Sequence, residues 1–268
     1  MKKIMTVVLF TLLALPIFAH DLFLKLDSFF VRVNDKVSIK ILNGSFQSSE
    51  GVVTFQRLAN VSVVSPSGSR TNPKESDFTK DATMAFLNLQ PTEPGNYVVG
   101  LSTMTREIDL KAKDFNGYLT EDGIPDTLAD REKKKELTKD VRERYTKHVK
   151  TIFQAGDKQT DNFKIVLGYA VEIVPQNNPY TLKTGEALAI LCLKDGKPLT
   201  NQVVLSGRED GAGKLVVGPS VRTDKKGIAK IKIDGQGKWY VKFINMTRIS
   251  DPKVNYESRW ATLTFEIR

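Results

Sequence analysis

Two histidines make up the whole imidazole content of this 268-residue chain, and their positions decide what chemistry they could do. His20 follows the small residue Ala19 at the end of an apolar leader. Cleavage after Ala19 would make His20 a free N-terminus, with an α-amine and an imidazole Nδ1 able to close a chelate ring on copper, nickel or cobalt. His148 is the second imidazole, and Asp21 supplies a carboxylate beside the first. The residue types therefore predict a transition-metal site formed by His20 and His148, with Asp21 as a further oxygen ligand or as an orienting group.

That chemistry depends on export. Lys2 and Lys3, the apolar run from Ile4 to Leu15, Pro16 and Ala19 read as a secretory signal over residues 1–19, removed on export, although Ile17 is bulkier than is usual there. The run is shorter than the roughly 20 residues a membrane-spanning helix needs. No later stretch approaches that length, and no cysteine follows the leader to carry a lipid, so the mature protein is expected in the periplasm without stable membrane insertion.

Composition narrows the alternatives. Without Lys2 and Lys3, 38 basic residues face 31 acidic ones, spread along the chain with no basic block interleaved with aromatics, so nucleic acid is not an expected partner. The single Cys192 lies in the apolar run LAILCLK and reads as a buried thiol, which excludes an intrachain disulfide and a cysteine zinc site. Met84, Met104 and Met246 form no methionine-rich motif, which disfavours a thioether site for copper(I). TEDGIPD, with Glu121, Asp122 and Asp126, lacks the acidic spacing of a calcium loop and reads as a turn and helix cap. Glu209, Asp210 and Asp234 read as surface turns. Nucleophile elbows, phosphate loops and H-E-x-x-H are missing from the sequence, so an enzyme is not expected.

The elements that must position these residues follow from periodicity. LFLKL, KVSIKIL, VVTFQRL, NVSVV, TMAFLNL and NYVVGLS alternate like strands and are separated by the turns LNGS, SPSG and PTEPG. Strand chemistry returns after Phe163 in FKIVLGYAVEIV, LAILCLK, QVVLSG, IAKIKI, KWYVKFI and WATLTFEIR. Between them, Thr127 to Phe153 is rich in Lys, Arg and Glu and free of Gly and Pro. Leu137, Val141, Tyr145, Val149 and Ile152 recur there at steps of three and four, which predicts one long amphipathic helix with His148 on its inward stripe. The expected organisation is a signal at 1–19, an N-terminal β-sandwich at 20–114, a loop and helix insert at 115–160 and a C-terminal β-sandwich at 161–268. PGNYVV and QGKWYV occupy matching corners of the two halves, and Tyr97 stands where sandwich folds often brace a corner with tyrosine.

VLGYAVEIVPQNNPYTLKTGEALAILCLKDGKPLTNQVV, TDKKG, GKWYV and the terminal ESRWATLTFEIR resemble the periplasmic NikM-like family, formerly a domain of unknown function. The likeness extends to AHDLFLKLDSFFV and RERYTKHVKTIFQAGDK, and so covers nearly all of the mature chain. Where relatives carry an aromatic before the terminal Trp-Ala-Thr-Leu-Thr-Phe-Glu motif, this chain has Arg259. The resemblance implies mainly β architecture, with immunoglobulin-like or transthyretin-like antiparallel sandwiches. It also implies a binding component for nickel or cobalt uptake, whose partner would be a metal-transport permease on a separate chain. The alternative is a non-metal interaction module that presents sandwich edges or loops to a partner protein or a cell-surface glycan.

Overall fold

Alternation along neighbouring strands sorts the chain into layers. In the Gly95–Thr103 strand Val98 enters one apolar core and Val99 another, and Ile152 and Phe153 of the Val141–Ala155 strand divide the same way. Successive side chains of a strand point to opposite faces, so both strands belong to a sheet covered on both sides. The computed structural model describes residues 20–268; the leader expected over residues 1–19 lies outside the described residues.

The covered sheet has 11 strands. Its main path runs Leu215–Val217, Val203–Glu209, Gly237–Arg248, Tyr256–Ile267, Val141–Ala155, Gly95–Thr103, Leu58–Val64 and Arg70–Thr71. It thus draws strands from both sides of the anticipated insert. At its centre Val141–Ala155 and Tyr256–Ile267 pair in parallel, from Glu143 opposite Tyr256 to Thr151 opposite Thr264. One face is covered by a four-stranded sheet in the order Asp21–Lys25, Val37–Gly44, Ala85–Leu89 and Phe78–Lys80. The other is covered by a four-stranded sheet built on Val171–Pro175, Ala187–Lys194 and Ile228–Lys232, with the short Lys197–Pro198 strand beside them. The protein is mainly β, with antiparallel sheets stacked as a sandwich.

The long helix expected from Thr127 to Phe153 does not form. Two short helices, Ala112–Glu121 and Pro125–Lys133, are followed by a turn with Lys135 at φ 57° and then by the Val141–Ala155 strand. Val141, Val149 and Ile152 of the expected stripe are buried, and Tyr145 is half-buried. Leu137 precedes the strand and is 37% exposed. The charges that read as a solvated face include Glu143, Lys147 and Lys150, all of which are buried. Covering both faces removes the alternation that would have marked this strand, and tertiary packing overrides the helix propensity of Lys, Arg and Glu.

Both helices lie on the face that also carries the N-terminal sheet. Phe115, Tyr118 and Leu119, at the three- and four-residue spacing of a helix stripe, pack on Val141, Ile244, Tyr256 and Trp260. Full burial of a side chain such as Phe115 stabilises by roughly 1.5–3 kcal/mol. Pro125 occupies the first turn of its helix, where its missing N–H costs nothing. Among the described residues, no helix is long and apolar enough to cross a membrane.

The two glycine corners repeat one device. Gly95 and Gly237 have φ of 139° and 132°, conformations that suit glycine. Two residues on, the Tyr97 hydroxyl accepts from Glu93 N at 2.9 Å and Trp239 Nε1 donates to Gly235 O at 3.2 Å, each reaching back four residues. Each ring then stacks on its cross-strand partner, Tyr97 on Phe153 and Trp239 on Phe265.

Candidate metal centre

Strand pairing assembles the N-terminal site. Asp21 pairs with Gly44, and Gly44 bridges to Ser49, so the loop after the Val37–Gly44 strand comes back beside His20. There Glu50 Oε2 lies 3.2 Å from His20 Nε2. The side chains of His20 and Glu50 are 28% and 57% exposed, so the imidazole is held at the surface and open to solvent ions. From beneath, the Lys147 ammonium donates to the His20 carbonyl oxygen.

Beside His20, Asp21 turns inward. Lys242 donates to both Asp21 and Asp122, the latter at 2.8 Å. Burial lowers the Lys242 pKa, but the two carboxylates outweigh it and leave the group above the ordinary lysine value. Burial pushes Lys147 down to about 8, against the attraction of Asp21. Deeper still, Glu143 accepts from Ser258 Oγ and, at 3.3 Å, from the Tyr118 hydroxyl. Burial nevertheless raises the Glu143 carboxyl to about 7, and its Oε2 has no partner. Paired charges of this kind mainly penalise loss of one member, which typically costs about 3–5 kcal/mol.

His148 lies on the other side of the central sheet. Lys147 points toward His20 and the Trp260 ring, so its neighbour His148 points to the opposite face. Its Nδ1 is 2.7 Å from Ser102 Oγ, and its ring stacks on Tyr169 with centroids 5.6 Å apart. Nε2 is buried without a partner. Burial lowers its pKa to about 4, with Arg259 adding repulsion, so the ring is neutral at ordinary pH. The structure therefore brings His20 and Asp21 into one neighbourhood and leaves His148 outside it. With the sheet between them, the two imidazoles cannot share one ion in this fold, which corrects the expectation of a joint site.

The remaining acids are committed elsewhere. Asp122 holds Lys242, and Asp126 pairs with Arg222 through two contacts of 2.8 Å. Glu209 holds Lys25, Asp234 holds Arg208, and Asp210 caps its own turn. Cys192 is a core residue whose thiol is pushed up by burial. Among the described residues, no cluster of three or more His, Cys, Asp or Glu side chains could hold a metal ion. Sequence reasoning missed Glu50 and Lys147. Glu50 could have been found only from the register of the first two strands, and Lys147 only once its segment was known to be a strand.

No curated protein matches the chain. Residues 17–247 match the model of a family described as a domain of unknown function, DUF4198, and the chain belongs to that family.

Proposed function

We propose that this is an exported, periplasmic transition-metal binding protein rather than an enzyme, acting as a binding component for nickel or cobalt uptake. The observation that carries this reading is the Glu50 carboxylate on His20 Nε2. A metal-bound imidazole commonly donates its other N–H to a carboxylate, which fixes the ring and raises its basicity. Glu50 occupies that role on Nε2, and Nδ1 is the nitrogen that can chelate together with the α-amine exposed by cleavage after Ala19. Lys147 anchors the residue through its carbonyl. Nickel, cobalt and copper all accept such nitrogens. The transport role, and the separate permease that would receive the ion, rest on the resemblance to the NikM-like family. An interaction module is the second reading, supported by the edge strand Leu215–Val217, whose Val217 is 68% exposed.

The test is to titrate nickel, cobalt and copper into the processed protein and into a form with one alanine ahead of His20. Extension converts the amine into an amide and leaves the imidazole in place. The processed form should bind with micromolar or tighter affinity and the extended form at least about 100-fold more weakly. Equal affinity would remove the N-terminal chelate; no binding by either form would favour the module.

A further inference from the structure

On the face away from His20, the segment from Phe55 to Pro73 meets the Leu167–Tyr169 segment around an open cavity of about 490 Å³. This volume is in the range of small-molecule sites, about 300–1,000 Å³. Its wall includes Phe55, Asn60, Ser62, Arg70, Asn72 and Tyr169. The Tyr169 ring is fixed there, since its hydroxyl donates to Asn60 O at 3.0 Å and its ring stacks on His148. Gly100 beneath it leaves the necessary room: a Cβ at that position would lie 2.7 Å from the Tyr169 hydroxyl oxygen and 2.4 Å from Leu167 Cδ1.

Two features of this cavity are left unmatched by the protein. Ser62 is only 4% exposed, and its Oγ, in the cavity wall beside the Tyr169 hydroxyl, makes no hydrogen bond of ordinary geometry. Buried polar groups are normally satisfied, so an orphaned hydroxyl at a cavity calls for a partner from outside the chain. Arg70 spends one N–H on Leu167 O at 2.8 Å, and no carboxylate lines the cavity to balance its charge. One guanidinium with a hydroxyl and two amides fits a singly charged carboxylate, which arginine binds through parallel N–H groups. A phosphate dianion would call for more cations or an array of backbone N–H groups. Phe55 and Leu58 supply apolar wall for the rest of such a molecule.

We propose that this cavity binds a small organic carboxylate, its charge held by Arg70 and Ser62 and its body lying against Phe55 and Tyr169. The site is independent of the metal reading, because it lies on the opposite face of the central sheet from His20.

Butyrate, benzoate and phenylacetate, each a monoanion at neutral pH and added to the isotopically labelled full chain, would test this by amide chemical shifts. At least one acid should give saturable shifts at Ser62, Leu167 and Tyr169, and Arg70→Gln should weaken it at least tenfold. Ser62→Val, which leaves the Arg70 contact to Leu167 intact, should weaken binding severalfold with an otherwise unchanged spectrum. The proposal is overturned if none of the three acids shifts these residues or if butyramide and benzamide bind as well as the acids. Tighter binding of inorganic phosphate, or unchanged affinity in both variants, would also overturn it.

Discussion

Lys147 and His148 are consecutive residues on opposite sides of one sheet, and the two sides treat buried polarity differently. On the Lys147 side ionisable groups are buried among polar partners, with Lys242 between Asp21 and Asp122 and Lys147 donating to the His20 carbonyl. On the His148 side the imidazole is kept neutral, stacked on Tyr169 and bonded to Ser102. The difference follows from access. The charged side opens to solvent at His20, whereas His148 is covered by the Tyr169 ring and is only 7% exposed, where a lone charge would be costly. The exposed histidine is the one an ion from solution could reach, and the buried one is packed against Tyr169.

The largest effect is expected at the fully buried ion pair on the His148 side. Lys150 and Glu172 are both 1% exposed, and Glu172 also accepts from the backbone of Leu167 and Gly168. Lys150→Met leaves that carboxylate without its cation and should cost about 3–5 kcal/mol in denaturant unfolding. A loss below 1 kcal/mol would mean the pair is hydrated and the face is not closed.

Replacing each histidine in turn by alanine separates their roles. His20→Ala should weaken metal binding at least about 100-fold with little change in stability. His148→Ala should leave metal affinity within about threefold while lowering stability by about 1–3 kcal/mol, through the lost Ser102 bond. Calorimetric titration and chemical denaturation of both variants decide it, and the opposite pattern would place the metal site on the wrong side of the sheet.

Acid separates the sides next. His148, ordinarily near 6.5, is lowered to about 4, so the unfolded chain takes a proton that the folded chain refuses. Its contribution is full above pH 6.5 and is lost as pH falls toward 4. Glu143, ordinarily near 4.5, is raised to about 7, so the folded chain keeps a proton that the unfolded chain releases. Its contribution is full below pH 4.5 and is lost as pH rises toward 7. Between pH 4.5 and 6.5 the two oppose each other and their sum is nearly flat. Glu143→Gln should unmask His148 as a loss of about 1.4 kcal/mol per pH unit on acidification, and His148→Asn should reveal the reverse slope. Identical pH profiles for the wild type and both variants would contradict these assignments.

The smallest effect belongs to the residue that a helix would have buried. Leu137→Ser should change stability by less than about 0.5 kcal/mol, as surface substitutions usually do. A loss comparable to that of a core leucine would show that the 37% exposed side chain packs after all.

Short alternating segments bounded by glycine and proline turns determined the strands and the mainly β class, because one covered face leaves a period of two in the sequence. The apolar run LAILCLK marked Cys192 as core, and the glycines at Gly95 and Gly237 marked the aromatic corners, because both depend on local chemistry. The Val141–Ala155 strand could not be read in this way. With outer layers on both faces its pattern loses alternation, and its lysines and glutamate find partners such as Asp21, Ser258 and Glu172 far along the chain. His20 could be proposed as a ligand from the sequence because that chemistry would depend on one peptide bond. Its carboxylate neighbour Glu50, and the separation of His148 from it, were decided only by strand register and by the side of the sheet on which each residue falls.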